Sequence, residues 1–128
     1  MPGRLLPACL ALVLSAGGLS ATTPKKVHVA AGVDATEQEA DRYLKANLKV
    51  VQKDVPEAIR VCAKSADPAQ VRDFEFAVEV GKGGKPAKTV PTPANAFTSC
   101  VAHAVGTMRF TEPPRSPLGV YFEVAIRE

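Results

Sequence analysis

The chain has no tryptophan, two tyrosines, two histidines and three cysteines among 128 residues. Nucleic-acid recognition draws on aromatic platforms or clustered arginines over a strongly basic surface, and neither accompanies the scattered lysines here. The formal net charge is only +3, from 16 basic and 13 acidic residues, so no nucleic-acid partner is expected. Long apolar runs are missing too. A membrane-crossing helix needs about 20 consecutive apolar residues, and the apolar stretch Leu5 to Leu14 is shorter and contains Pro7. No stable membrane span is expected.

Motifs that would bring a cofactor are scarce as well. Zinc needs three or four ligands, whereas His28, His103, Cys62 and Cys100 stand too far apart for any finger spacing. Calcium would call for a twelve-residue acidic loop, and none is present. Gly81-Lys-Gly-Gly-Lys85 superficially suggests a phosphate loop, but the spacing is wrong and no Ser or Thr follows the lysine. The expectation is no metal and no cofactor.

What is there begins with a leader. Arg4 supplies a small positive region, Leu5 to Leu14 an apolar one, and Ser15 to Ala21 the small residues suited to signal peptidase. Residues 1–21 therefore read as a signal peptide cut after Ala21, with a buried N-terminal helix as the competing reading. Cys9 lies inside the apolar region and not after the small residues, so no lipid anchor is expected. Removing the leader takes away Arg4 and no acidic residue, which leaves a net charge of +2. The expected location is periplasmic or secreted. Two cysteines survive, and in an oxidising compartment Cys62 and Cys100 read as one disulfide, against two buried free thiols.

Residues 22–33 form a polar spacer followed by Val27, Val29, Ala31 and Val33 in alternation, either a tether or an edge strand. Residues 34–128 read as one domain. Ala40, Leu44, Leu48, Val51, Val55, Ile59 and Cys62 recur at threes and fours, one helical stripe. Thr36 and Glu39 fit a capping box. Asp54-Val-Pro-Glu57 looks like a second start, so a break is expected before Pro56, with Asp54 as cap. Phe74, Phe76, Val78 and Val80 alternate with Asp73, Glu75, Ala77 and Glu79, and Val120, Phe122, Val124 and Ile126 alternate with Tyr121, Glu123, Ala125 and Arg127. Such period-two patterns mean strands with one dry and one wet face. Gly81, Gly83 and Gly84 permit a tight hairpin, and Pro86 marks its return strand as an edge. A helix carrying Phe97, Val101 and Val105, with Cys100 sharing its buried flank, ends near Gly106. Glu112 to Pro117 is a stiff connection. The fold class is α+β: a small antiparallel sheet with two helices packed on one face and one disulfide.

Catalytic constellations are thin. Cys100 and His103 share a helix face as a thiol–imidazole pair would, but no third residue orients them and a disulfide would consume the thiol. Glu75, Glu79 and Glu123 crowd one sheet face, yet acid–base chemistry needs unequal environments in a cleft. No enzymatic activity is expected.

Helix, hairpin, helix and strand follow in order, with Ile59-Arg-Val-Cys62, Phe74-x-Phe76-x-Val78, Gly81 to Gly84, Ser99-Cys-Val101 and Met108-Arg-Phe110 as local signatures. From Val55 to Ile126 this resembles the TonB-like C-terminal domains, most of all those ending myxobacterial adventurous-gliding and related envelope proteins. The resemblance implies a Cys62–Cys100 pairing and a non-catalytic envelope domain that takes an envelope protein or extended peptide alongside a sheet edge. Pro86, Lys88 and Val90 are the expected edge contacts. A structural or inhibitor-like envelope protein, using the rigid loop at Pro113 and Pro114, is the alternative.

Overall fold

The structure, a computed structural model, describes residues 26–127. The expected leader and the spacer up to residue 25 lie outside the described residues. The elements are β1 (Lys26–Val33), α1 (Glu37–Ala46), α2 (Val55–Lys64), β2 (Phe74–Val80), β3 (Pro86–Thr92), α3 (Ala96–Val105) and β4 (Leu118–Arg127). They build a small α+β domain around a four-stranded antiparallel sheet in the order β1-β4-β2-β3. The segment 26–33 is an edge strand, paired with β4 along its whole length.

Alternation in β2 and β4 does what the pattern requires. Phe74, Phe76, Val78 and Val80 are buried, as are Leu118, Val120, Phe122 and Val124. Phe76 and Phe122 are register partners, and their rings stack at 4.6 Å. Phe97 of α3 meets Phe74 edge-on at 5.5 Å. Helices and dry sheet face thus share one core, which also takes in Ile59, Val55, Val101 and Val105.

The first helical region differs from the single stripe expected. Between α1 and α2 lies a π turn, Val50–Asp54, closed by the Val55 amide donating to the Val50 carbonyl. A π turn accommodates an extra residue, which rotates the buried face by roughly 100°. Val51 within it and Val55, Ile59 and Cys62 after it are buried as the spacing predicts; Tyr43 and Asn47 before it and Val50 at its start are also buried, and Leu48 is exposed. Asp54 is correspondingly not a cap. Its backbone is helical and its side chain makes no capping bond, because the chain never leaves the helical region there. Pro56 still sits in the first turn of α2, where its missing N–H costs nothing. The capping box of α1 is as expected, with the Glu39 amide donating to Thr36 Oγ1 at 3.2 Å.

The disulfide joins Cys62 to Cys100, 38 positions apart, with Cα atoms 5.9 Å from each other. It ties α2 to α3. Cys62 is buried, but Cys100 is exposed, so Cys100 does not share the buried flank of Phe97. The sulfur bridge runs along the rim of the core.

Gly83 and Gly84 take φ of 73° and 76° in the hairpin turn, while Gly81, at φ −97°, needs no glycine. Gly84 has a second reason: any Cβ there would run into the Phe110 carbonyl. The Phe110 amide donates to the Gly84 carbonyl at 2.9 Å. The hairpin is thereby moored to the segment leading into β4.

A buried clamp holds the next few residues. Asn47 donates from Nδ2 to the Tyr43 carbonyl (2.8 Å) and Thr111 Oγ1 (3.0 Å), and its Oδ1 accepts from the Thr111 amide (2.9 Å). Tyr43 donates its hydroxyl to the Thr111 carbonyl at 2.8 Å. Burial pushes the Tyr43 phenol above its ordinary pKa, against these hydrogen bonds. Asn47→Ala strands several of these partners, and we expect a loss of about 2 kcal/mol in urea unfolding. Tyr43→Phe, which removes one bond and keeps the ring, should cost about 1 kcal/mol.

Candidate protein-binding surface

The helices leave the other sheet face open, and cross-strand register orders it into rows. Gly32, Tyr121, Ala77 and Val90 form one row across all four strands. Tyr121 is 50% and Val90 46% exposed, so this row is apolar at its middle and at the β3 margin. The next row toward the hairpin brings Gly119, Glu79 and Lys88 together; on the other side lie Ala30, Glu123, Glu75 and Thr92. A shallow hollow of about 300 Å³ is lined by Asp34, Ala77, Glu79, Lys88, Val90 and Tyr121, among others. A second, of about 360 Å³, lies between β3 and α3 and touches Pro86, Lys88, Thr89 and His103.

The expected edge contacts therefore fall as follows. Pro86 opens β3 opposite Val80 and lines the hollow beside α3. Lys88 pairs with Glu79 and borders both hollows, and Val90 lies on the open-face side. Gly81, Gly83 and Gly84 lie at the hairpin end of the same strand pair and shape the turn only. Tyr121 is a surface residue that the sequence reading does not single out. Its signal is a large aromatic on the wet side of an otherwise cleanly alternating strand.

The two edges differ in what they offer a ladder. Backbone groups of an antiparallel strand alternate between its two neighbours. The Gly81 amide donates to the Lys85 carbonyl, and a bulge at Glu79/Val80 shifts the register by one. It follows that Lys88, Val90 and Thr92 turn their backbone groups toward β2, while Thr89 and Pro91 turn theirs outward. Proline has no amide hydrogen. Between Lys88 and Thr92 the outer edge thus presents one donor, Thr89. On β1 the Asp34 amide donates inward to the Gly119 carbonyl at 2.9 Å. The outward groups there are those of Val27, Val29, Ala31 and Val33, all four with amide hydrogens.

The remaining chemical candidates come apart on inspection. Cys100 is in the disulfide, as expected, so it offers no thiol to His103, itself exposed on α3. Glu75 and Glu123 are direct cross-strand partners, but both are exposed, and Glu79 pairs with Lys88 one row away. Among the described residues no group of three or more His, Cys, Asp or Glu is placed to hold a metal ion, and no helix is long and apolar enough to cross a membrane.

Asp73 latches the end of β4. Its Oδ1 accepts from the Ile126 amide at 2.8 Å and from Arg127 Nη1 at 3.1 Å. The Ile126 bond and the Arg127 charge hold the Asp73 carboxyl below its ordinary value of 3.8. A depressed carboxyl pKa contributes stability above the unfolded-state pKa, and that contribution is lost as pH falls through the folded one. The strand end should therefore loosen in acid below about pH 4. Protection of the Ile126 amide, taken relative to the intrinsic exchange rate at each pH, should fall across that range in the native chain and be absent at every pH in Asp73→Ala.

Compared with protein-family models, with curated proteins and with solved structures, the chain matches none.

Proposed function

We infer that the chain is a non-catalytic protein- or peptide-binding domain of the cell envelope, periplasmic or secreted, which takes an extended partner segment along the β3 margin. The observation that carries this reading is the pair of hollows flanking β3. A strand laid beside β3 points alternate side chains to opposite faces, so that one set meets the Val90–Tyr121 hollow and the other the hollow against α3. With Thr89 the single outward donor in that stretch, side-chain fit and not the backbone ladder sets the affinity. The helix–hairpin–helix–strand order and the Cys62–Cys100 bridge support a TonB-like scaffold for this role, and the bridge suits an oxidising compartment.

The test is a photo-crosslinking residue at Val90 in the exported chain. Partner capture from the envelope fraction should occur, and it should be lost in Tyr121→Ala and in Lys88→Glu. No captured protein, or capture indifferent to both substitutions, contradicts the reading.

A second reading has its own observation. The Glu112–Pro117 loop is fixed at several points: Pro113 is buried, Glu112 accepts from the Gly83 amide at 2.9 Å, and Arg115 pairs with Glu39 at 3.2 Å. A rigid projecting loop is what an inhibitor-like protein presents. Replacing Pro114 to Ser116 with glycines should abolish partner capture under this reading and spare it under the first.

A further inference from the structure

β1 is an unguarded edge. Proteins protect exposed edges with prolines, bulges or inward charges, and β3 has two prolines and a bulge. Lys26 to Val33 has neither, pairs with β4 in unbroken register, and among the described residues has no strand on its far side. Its core-side residues Val27, Val29, Ala31 and Val33 are only half buried. An occupant of this edge would finish both the ladder and that apolar row.

The strand's own sequence identifies an occupant. The geometry points to a second copy of this chain, whose β1 pairs antiparallel with the first about a two-fold axis at Ala30. Cross-strand partners lie on the same face, and the outward-facing backbone groups belong to Val27, Val29, Ala31 and Val33. Centring on Ala30 sets Val27 against the partner's Val33 and Val29 against the partner's Ala31, so the four outward residues pair wholly among themselves. On the open face, Ala30 meets the partner's Ala30 and His28 meets the partner's Gly32, both without crowding. At each end Lys26 stands opposite the partner's Asp34. Both are exposed, and among the described residues neither side chain has another ion-pair or hydrogen-bond partner.

Neighbouring registers lose this match. Centring on Val29 carries Asp34 past the partner's Lys26, the first described residue, and centring on Ala31 leaves Lys26 opposite Thr36. Only the Ala30 register joins opposite charges at both ends. The two-fold runs perpendicular to the sheet, so the product is a continuous eight-stranded sheet with both helical layers on one side. Each β3 margin stays at an outer end; Asp34, at the far side of the Val90–Tyr121 hollow, is the residue that the pairing and that hollow share.

Sedimentation equilibrium on the oxidised chain tests this. The native chain should dimerise, and Lys26→Glu and Asp34→Lys should each weaken the dimer by about tenfold, since each replaces two attractions with two repulsions. An equal mixture of the two variants should recover dimers. In the mixed pair the two substituted side chains, of opposite charge, face each other at one end, and the unaltered Asp34 and Lys26 face each other at the other. Ala30→Cys should form a covalent dimer, because a non-hydrogen-bonded pair brings its Cα atoms to about 4.5 Å. Circular dichroism controls for folding of each variant. A native chain that stays monomeric at every concentration overturns the proposal, including one whose β1 amides gain protection only when an extended peptide is added. A dimer indifferent to both charge reversals, or one that the mixture fails to restore, overturns it as well.

Discussion

Phe76→Ala should destabilise the domain by about 3–5 kcal/mol, the range for truncating a fully enclosed aromatic. Phe76 sits on the central strand pair, 2% exposed, with the Phe122 ring stacked on it and the Phe74 ring 6.0 Å away. Removing the ring takes apolar surface from the core and leaves a void. β2 is held by ladders on both sides and α2 is tied to α3 by the disulfide, so the void closes poorly. A small domain has a total stability of about 5–15 kcal/mol. The substitution therefore takes a large part of it, and the urea midpoint should fall while the slope stays constant. Tyr121→Ala, on the opposite face of the neighbouring strand, should change stability by about 0.5 kcal/mol or less. That contrast separates an open-face residue from a core residue.

Loss of the disulfide should be the next largest effect. Cys62 and Cys100 close a long segment that contains β2 and β3, with the bridge fastening α2 to α3. Constraining the unfolded chain in this way stabilises by about 2–4 kcal/mol. Cys62→Ala combined with Cys100→Ser should lower stability by that amount. The choice of residues follows burial, with a small apolar group at the buried position and a polar one at the exposed position. Reduction of the native protein should give the same shift, and the double variant should then be insensitive to reductant. A shift on reduction that persists in the double variant would mean that the bridge is not its source.

Much of the sheet was legible because its information is local. Two eight-residue alternations need no knowledge of the rest of the chain, and β2 and β4 are buried on the faces they announce. The capping residue Thr36, and the end of α3 at Gly106, are similarly short-range features. The π turn was not legible. A one-residue phase change still leaves apolar residues at threes and fours; the expected stripe runs through Leu44, which is half buried against the core, and Leu48, which is exposed. The Asn47–Thr111 clamp was hidden for a different reason, since its partners are 64 residues apart in sequence. Cys100 shows the same limit. Spacing from Phe97 placed it on the buried flank, whereas the bridge runs along the outside of the core.

The surface was legible in part. Pro86 did mark an edge strand, and Lys88 and Val90 do border hollows. Which residues stand behind them depends on the order β1-β4-β2-β3, which brings Tyr121 between Gly32 and Ala77. Strand order is long-range information, and no motif in the chain encodes it.

An exported, oxidised binding domain is the central claim, and the intact mass of the chain recovered from the envelope or culture fluid tests it most directly. It should be measured with and without reductant and alkylation. The expected mass begins at Thr22, is lower by two hydrogens than the reduced chain, and takes up two alkyl groups only after reduction. A full-length product whose Cys62 and Cys100 alkylate without reductant would contradict both the compartment and the staple.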